Sequence, residues 1–233
     1  MITLSLIKNA GGAAKYYAAD NYYLAEADAK EASEWLGRGA AELGLKGRVE
    51  EQQLQKILEG KVPNGVTVGF QKDGKQIHRP GYDICFHAPK SVSILALEGK
   101  DQRFYDAHLS AVKETLALIE RDCAQAKVYK DEKISFQSTK NLSIALVKHI
   151  TSRDLDPQLH HHALIMNTTK KDDGNWRALA SSKVNDGETN GFFERVHKNQ
   201  IYYGVIYQAA LASKVVEFGC EIETVGPHGL WEI

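Results

Sequence analysis

Leu159-His160-His161-His162-Ala163-Leu164-Ile165-Met166 sets three consecutive histidines at the head of an apolar run. Read as a β-strand, the stretch alternates its side chains, so His160 and His162 share one face and His161 takes the other. An apolar strand gains nothing from two imidazoles on one face unless their ring nitrogens are satisfied, because a buried unpaired polar group costs about 1–3 kcal/mol. His149 closes a second apolar run, Leu142 to Val147, and the segment Ser152-Arg153-Asp154-Leu155-Asp156-Pro157 reads as the turn that returns the chain beside it. The expectation is a metal centre of His149, His160 and His162 with a coordination position left open to a ligand. A purification tag does not account for the run, which is internal and continues directly into Ala-Leu-Ile.

The frame around this motif is one domain. With 233 residues, 43% of them hydrophobic, the chain is long enough for a single large core and gives no reason to expect two. A formal net charge of −1 excludes a general positive field, so any contact with nucleic acid must come from local patches. Cys85, Cys123 and Cys220 are odd in number and lack CxxC spacing, which suits a reducing cytoplasm better than a disulfide framework. No segment reaches the roughly 18 apolar residues of a membrane span, and the N-terminus carries no basic-then-apolar signal pattern.

Outward from the histidines, the chain alternates strands with a few helices. Ile2 to Ile7 reads as a strand, followed by Gly11-Gly12 and a helix carrying Tyr16 and Tyr17. Helical patterns are expected over Ser33 to Leu43 and Glu50 to Glu59, each closed by glycine. Pro63-Asn64-Gly65 and Asp73-Gly74 frame a short strand, Val66 to Phe70. Tyr82 to His87 alternates, with Tyr82, Ile84 and Phe86 on one face and Asp83, Cys85 and His87 on the other. Lys90 to Leu97 is helical in composition. Asp101 to Ala126 reads as one amphipathic helix with Phe104, His108, Ala111, Thr115, Leu118 and Ile119 near a single stripe, which is core, and His108 is given no role. Lys171 to Asn175 turns the chain into a strand over Trp176 to Leu179, and one helix is expected from Gly191 to Phe218. These helices are too few for a doubly wound sheet. The fold class is therefore α+β, a mostly antiparallel central sheet with helices packed on its faces.

A second constellation lies near the N-terminus, where Tyr16-Tyr17 is followed by Tyr22-Tyr23 around Asp20-Asn21. An aromatic cluster capping the sheet is the plain reading. A phenol has a pKa near 10 and needs a base or a cation to attack, and a three-histidine metal together with Asp83 supplies both.

Taken together, these residues resemble the conjugative relaxases of the F-plasmid-like, MobF-type family within the HUH endonucleases. The resemblance spans essentially the whole chain. It runs through the tyrosine pairs, Gly81-Tyr82-Asp83, Ala88-Pro89-Lys90-Ser91-Val92-Ser93, His149 to Arg153, Pro157 to His162 and Gly229-Leu230-Trp231-Glu232. That class is named for two histidines flanking a hydrophobic residue, and here His161 stands in the middle position, facing away from the metal. The resemblance implies the relaxase fold and nicking and rejoining of one DNA strand at an origin of transfer through a 5′-phosphotyrosine link. It implies Tyr16 as first nucleophile with Tyr17 beside it, Tyr22 and Tyr23 as a second pair for a later transfer, and Asp83 either orienting a metal histidine or taking the tyrosine proton. Magnesium or manganese is the ion implied in function, while zinc, nickel or copper would also suit imidazoles. Implied partners are single-stranded origin DNA with an adjacent hairpin, relaxosome accessory proteins and a type IV secretion coupling protein, for a monomeric bacterial cytoplasmic enzyme. Similar proteins continue into a helicase, so residues 1–233 are expected to be the N-terminal part of a relaxase-helicase.

Candidate DNA contacts follow from charge and spacing. Lys170, Lys171 and Arg177 lie in or beside the predicted hairpin, and Arg79, Lys90 and Arg153 are expected to flank the site. Gln200, Gly204 and Gln208 recur every four residues, so the two amides are a candidate base-reading face. Two rival classes stay open: a nuclease or phosphodiesterase in which metal-bound water attacks, and an origin-binding module whose metal is structural.

Overall fold

The histidine-bearing run forms β9 (Pro157–Met166), the middle strand of the five-stranded sheet in a computed structural model that describes residues 1–19, 33–130, 133–152, 154–181 and 191–233. On one side it pairs with β5 (Gly81–His87) and, beyond that, β1 (Ile2–Ile7). On the other it pairs with β8 (Ile144–Thr151) and then β2 (Ser33–Leu36). Each of these pairings is antiparallel. The helices cover both faces, as the α+β expectation requires.

Side-chain parity divides the core in two. Tyr82, Ile84, Phe86, Ile144, Leu146, Ala163 and Ile165 point to one face, where they meet α5 (Gln102–Cys123), α6 (Phe192–Lys198) and α7 (Gln200–Glu217). Ala145, Val147, Leu164 and Met166 point to the other, beneath α1 (Ala10–Ala19) and α3 (Glu51–Leu58), joined by Trp35 and Trp176. A sheet buried on both faces explains why the first half of β8 and the second half of β9 read as continuous apolar runs and not as alternating ones.

Smaller elements decorate this sandwich. Asp73 and Gly74, with φ of +49° and +71°, turn the exposed hairpin β3 (Phe70–Lys72)–β4 (Lys75–Ile77). A longer ribbon, β6 (Gln125–Lys130)–β7 (Lys133–Ser138), follows α5, and a two-residue pair, β10 (Thr169–Lys170) with β11 (Trp176–Arg177), follows β9. The short α2 (Arg38–Glu42) leaves β2, and α4 (Lys90–Leu97) leaves β5. The tail forms β12 (Glu223–Thr224)–β13 (Trp231–Glu232), and the Glu232 carboxylate accepts from the backbone N–H groups of Lys90 and Ser91 at 3.0 and 2.7 Å. That carboxylate satisfies first-turn donors of α4 that no capping side chain reaches.

Four boundaries differ from the sequence reading. Ser33–Leu36 is a strand, because the open side of β8 offers it a ladder that a short helix there would forfeit. The strand expected at 66–70 is displaced to Phe70–Lys72 by the Asp73-Gly74 turn, which fixes the hairpin register. The long helix stops at Cys123, and Gln125 and Ala126 enter β6. The helix expected from Gly191 to Phe218 is broken at Asn199, whose φ of −105° and ψ of 17° leave the helical range.

Ile84 is fully buried at the centre of the larger core. Ile84→Ala is expected to lower unfolding stability by about 2–5 kcal/mol, measured by chemical denaturation, without moving the histidines on the opposite face.

Candidate metal and tyrosine site

Strand register does most of the assembly. His149 on β8 lies directly across from His160, and His162 lies between Val147 on one neighbour and Cys85 on the other. The three predicted histidines therefore face one side of the sheet, with ring centroids 4.8 Å (149 to 162), 5.2 Å (149 to 160) and 5.3 Å (160 to 162) apart. A register irregularity between His149 and Thr151 ends this ladder beside the turn that connects the two strands.

Two of the rings are held from behind. His162 Nδ1 lies 2.9 and 3.0 Å from the Asp83 carboxylate oxygens, and His160 Nδ1 lies 2.9 Å from the Gln158 carbonyl oxygen. Both partners are acceptors, so each Nδ1 carries the proton and each Nε2 presents a lone pair. Burial, and then the neighbouring histidines, lowers the His149 pKa from 6.5 to about 3, which keeps that imidazole neutral at pH 7. Imidazoles whose outer nitrogens are already committed, as in His160 and His162, suit a divalent ion.

Helix α1 brings the first tyrosine pair over this cluster. Tyr17 is only 9% exposed, its hydroxyl donates to Asp83 Oδ2 at 2.9 Å, and its ring lies 5.1 Å from His162. Burial first, then the Asp83 charge, drives its phenol well above the usual range. Tyr16 is 55% exposed, with its ring 6.1 Å from His149 and 5.0 Å from Tyr17 in an edge-on contact. Asp83 thus joins Tyr17 to His162, and of the pair Tyr16 is the more accessible phenol.

A family model described as TrwC relaxase matches residues 10–233. The chain belongs to the TrwC relaxase family. It is 43% and 42% identical, over its full length, to two Escherichia coli proteins named multifunctional conjugation protein TraI, the second from strain K12. It spans 13% of the length of each. Among solved structures it is similar to the conjugative relaxase TrwC in complex with OriT DNA, in a metal-bound form (35% identity, TM-score 0.83) and a copper-bound form (34%, 0.85). All of this chain and 75% of each TrwC chain align.

Within this relaxase-family chain, the basic residues divide between two ends of the sheet. Lys90 stays near the cluster, where its Nζ donates to the Pro157 carbonyl at the start of β9. Arg79 does not flank the site. It precedes β5 at the far end, where its carbonyl accepts from Asn167, and at roughly 3.3 Å per residue it lies about 20 Å along the strand from Cys85. Lys170, Lys171 and Arg177 occupy that same end; Lys170 pairs with Glu42 at 3.1 Å and Lys171 with Asp173, while Arg177 is exposed. Tyr22, Tyr23 and Arg153 lie outside the described residues.

The amide face on α7 needs correction. Gln208 is 3% exposed, Gly204 packs toward Ile2, and Gln200 Nε2 donates to the Ile2 carbonyl at 3.0 Å. Spacing of four defines one helix face without saying which way it points, and this one lies against β1, with Gln200 half-buried and Gln208 buried.

Further residues, given no role by the sequence reading, stand at the site. Cys85 Sγ lies 3.8 Å from His162 Nε2, and His87 stacks on His160 with centroids 5.6 Å apart. His161 does face away from the cluster, yet it is no bystander. Its Nδ1 lies 2.8 Å from His108 Nε2, and His108 Nδ1 lies 2.7 Å from the Tyr207 hydroxyl, all three side chains being buried. The signal was present in the core stripe of α5, where a histidine among apolar residues requires a polar partner from a facing element.

Burial is the largest cause lowering the pKa of His87 to about 4, of His108 to about 3 and of His149 to about 3. Folded values below the unfolded value of 6.5 mean that the unfolded chain binds more protons between those limits. The stability these neutral imidazoles contribute is therefore complete above about pH 6.5 and is lost progressively as pH falls toward about 3. Thermal melts of metal-free protein should show the midpoint falling steadily over that interval, and a pH-independent midpoint contradicts these neutral buried imidazoles.

Proposed function

We propose that this chain nicks one DNA strand at an origin of transfer and later rejoins it, through a covalent bond between Tyr16 and the 5′-phosphate. The observation that carries this reading is the placement of the Tyr16–Tyr17 pair on α1 directly against the three histidines, with Asp83 bonded to both Tyr17 and His162. The TrwC complexes with OriT DNA and the conjugation role in the TraI name support the substrate.

His149, His160 and His162 would hold a divalent ion, whose chemistry when bound is to neutralise negative charge growing on the scissile phosphate. Tyr16, the more exposed of the pair beside His149, attacks phosphorus, while burial and Asp83 keep Tyr17 protonated. The bond to the 3′-oxygen breaks, the phenol proton is given up, and the leaving oxygen takes up a proton. One phosphoester replaces another, so the reverse attack by the 3′-hydroxyl restores the strand without a nucleotide cofactor. Asp83 fixes the His162 ring and is itself fixed by Tyr17, which makes Asp83 and Tyr17 positioning groups. Tyr22 and Tyr23 are proposed for a second transfer that ends the cycle.

Magnesium or manganese is proposed as the working ion, with zinc, nickel or copper able to occupy imidazoles because of their affinity for nitrogen. Lys90 and Arg153 are proposed to contact phosphates close to the nick, and Arg79, Lys170, Lys171 and Arg177 phosphates further along the strand or in an adjacent hairpin. Among the described residues no helix is long and apolar enough to cross a membrane. Action as a cytoplasmic monomer, with relaxosome accessory proteins and a secretion coupling protein as partners, belongs to the same proposal.

The test is a denaturing gel after incubation with single-stranded origin DNA and manganese. Wild type and Tyr17→Phe are expected to give a protein-linked DNA band, and Tyr16→Phe is expected to lose it. A band that survives in Tyr16→Phe and in the double Tyr16→Phe/Tyr17→Phe variant overturns the assignment. Cleavage that leaves a free 5′-phosphate and no adduct identifies attack by water, and binding without cleavage identifies a binding module.

A further inference from the structure

Cys85 occupies a position in the histidine centre for which the relaxase reaction has no evident need. It lies on β5 directly across from His162 and is 4% exposed, on the same face as Asp83. Its sulfur and one ring nitrogen each from His160 and His162 all lie within 4.8 Å of one another, and the Sγ to His162 Nε2 distance is 3.8 Å. Asp83 and the Gln158 carbonyl hold the Nδ1 atoms of His162 and His160, so each ring would offer its Nε2 to an ion shared with the sulfur. Donors bound to one tetrahedral zinc at about 2.0–2.3 Å stand roughly 3.5 Å apart. Cys85 and His162 are already close to that separation.

We propose that Cys85 is a fourth protein donor, which thiophilic divalent ions such as zinc, cadmium and cobalt recruit to form a closed centre of one thiolate and three imidazoles. This rests on the three-histidine centre of the proposed function. On binding, a bond forms between sulfur and the ion, and the thiol proton passes to solvent. Magnesium and manganese favour oxygen donors, leave the sulfur protonated and keep a position open for phosphate. The centre thus sorts ions by softness, and a soft ion that takes the sulfur fills the coordination position a phosphate oxygen would use.

Cobalt substitution reads the sulfur directly. The 233-residue chain is titrated with cobalt(II) under reducing conditions and without DNA, beside Cys85→Ser and Cys85→Ala. Wild type is expected to develop a near-ultraviolet sulfur-to-cobalt charge-transfer band together with visible ligand-field bands. Both variants are expected to lose the charge-transfer band and keep the visible ones. Cys123 and Cys220 belong to the core on the opposite face of the sheet, so neither can supply the sulfur band. Visible bands without charge transfer in wild type, or charge transfer retained in Cys85→Ser, overturn the role of Cys85 while leaving the three-histidine centre in place. Failure of wild type to take up cobalt at all overturns the centre itself. The wild-type spectrum alone is able to refute the proposal, so the test does not hang on how the variants fold.

Discussion

The antiparallel register that holds β9 between β5 and β8 is the constraint on which everything else depends. A shift by one residue would turn His160 and His162 into the helical core and bring His161 to the site, reversing every side chain on the strand. The register is fixed by burial on both faces, since Ala163 and Ile165 must meet one set of helices and Leu164 and Met166 the other. Apolar packing at one end of β9 therefore positions imidazoles at the other, with no loop involved in placing His160 or His162.

Polar contacts reinforce the same register on both faces. Toward the tyrosines, Asp83 reaches across from β5 to His162 and accepts from Tyr17, so that one carboxylate couples strand, strand and helix. Toward the helices, His161 meets His108, which meets Tyr207, and the chain ties β9 to α5 and α7. Histidine in the middle of the triplet is compatible with a core position only because two further polar groups satisfy it. With the wrong register those groups would be left buried without partners, at about 1–3 kcal/mol apiece. The triplet is thus an orienting device as well as a source of candidate metal ligands.

Strand alternation separates His160 and His162 from His161 over 159–166 and places Asp83 and Cys85 on one face over 82–87, because side-chain parity in a strand is a local property. Helix direction is not. The four-residue spacing of Gln200, Gly204 and Gln208 is real, but what lies opposite is decided by packing against Ile2, almost the full chain length away. Ser33–Leu36 differs from its sequence expectation for the same reason, its strand conformation coming from β8 and not from its own composition. Arg79 is near Asp83 in sequence yet removed from the cluster, since an extended strand carries four residues a long way. The roles of His108 and Tyr207 needed two helices to be set against β9, and only the unexplained polarity of His108 hinted at them.

Asp83, by fixing the His162 ring, is the group on which a metal site of three histidines would most depend. Calorimetric titration of manganese into wild type and Asp83→Ala, with thermal melts to confirm folding, tests that most directly. The predicted result is a folded variant whose affinity for the ion is weaker by about 10–100-fold. A folded Asp83→Ala protein that binds manganese as tightly as wild type would contradict it.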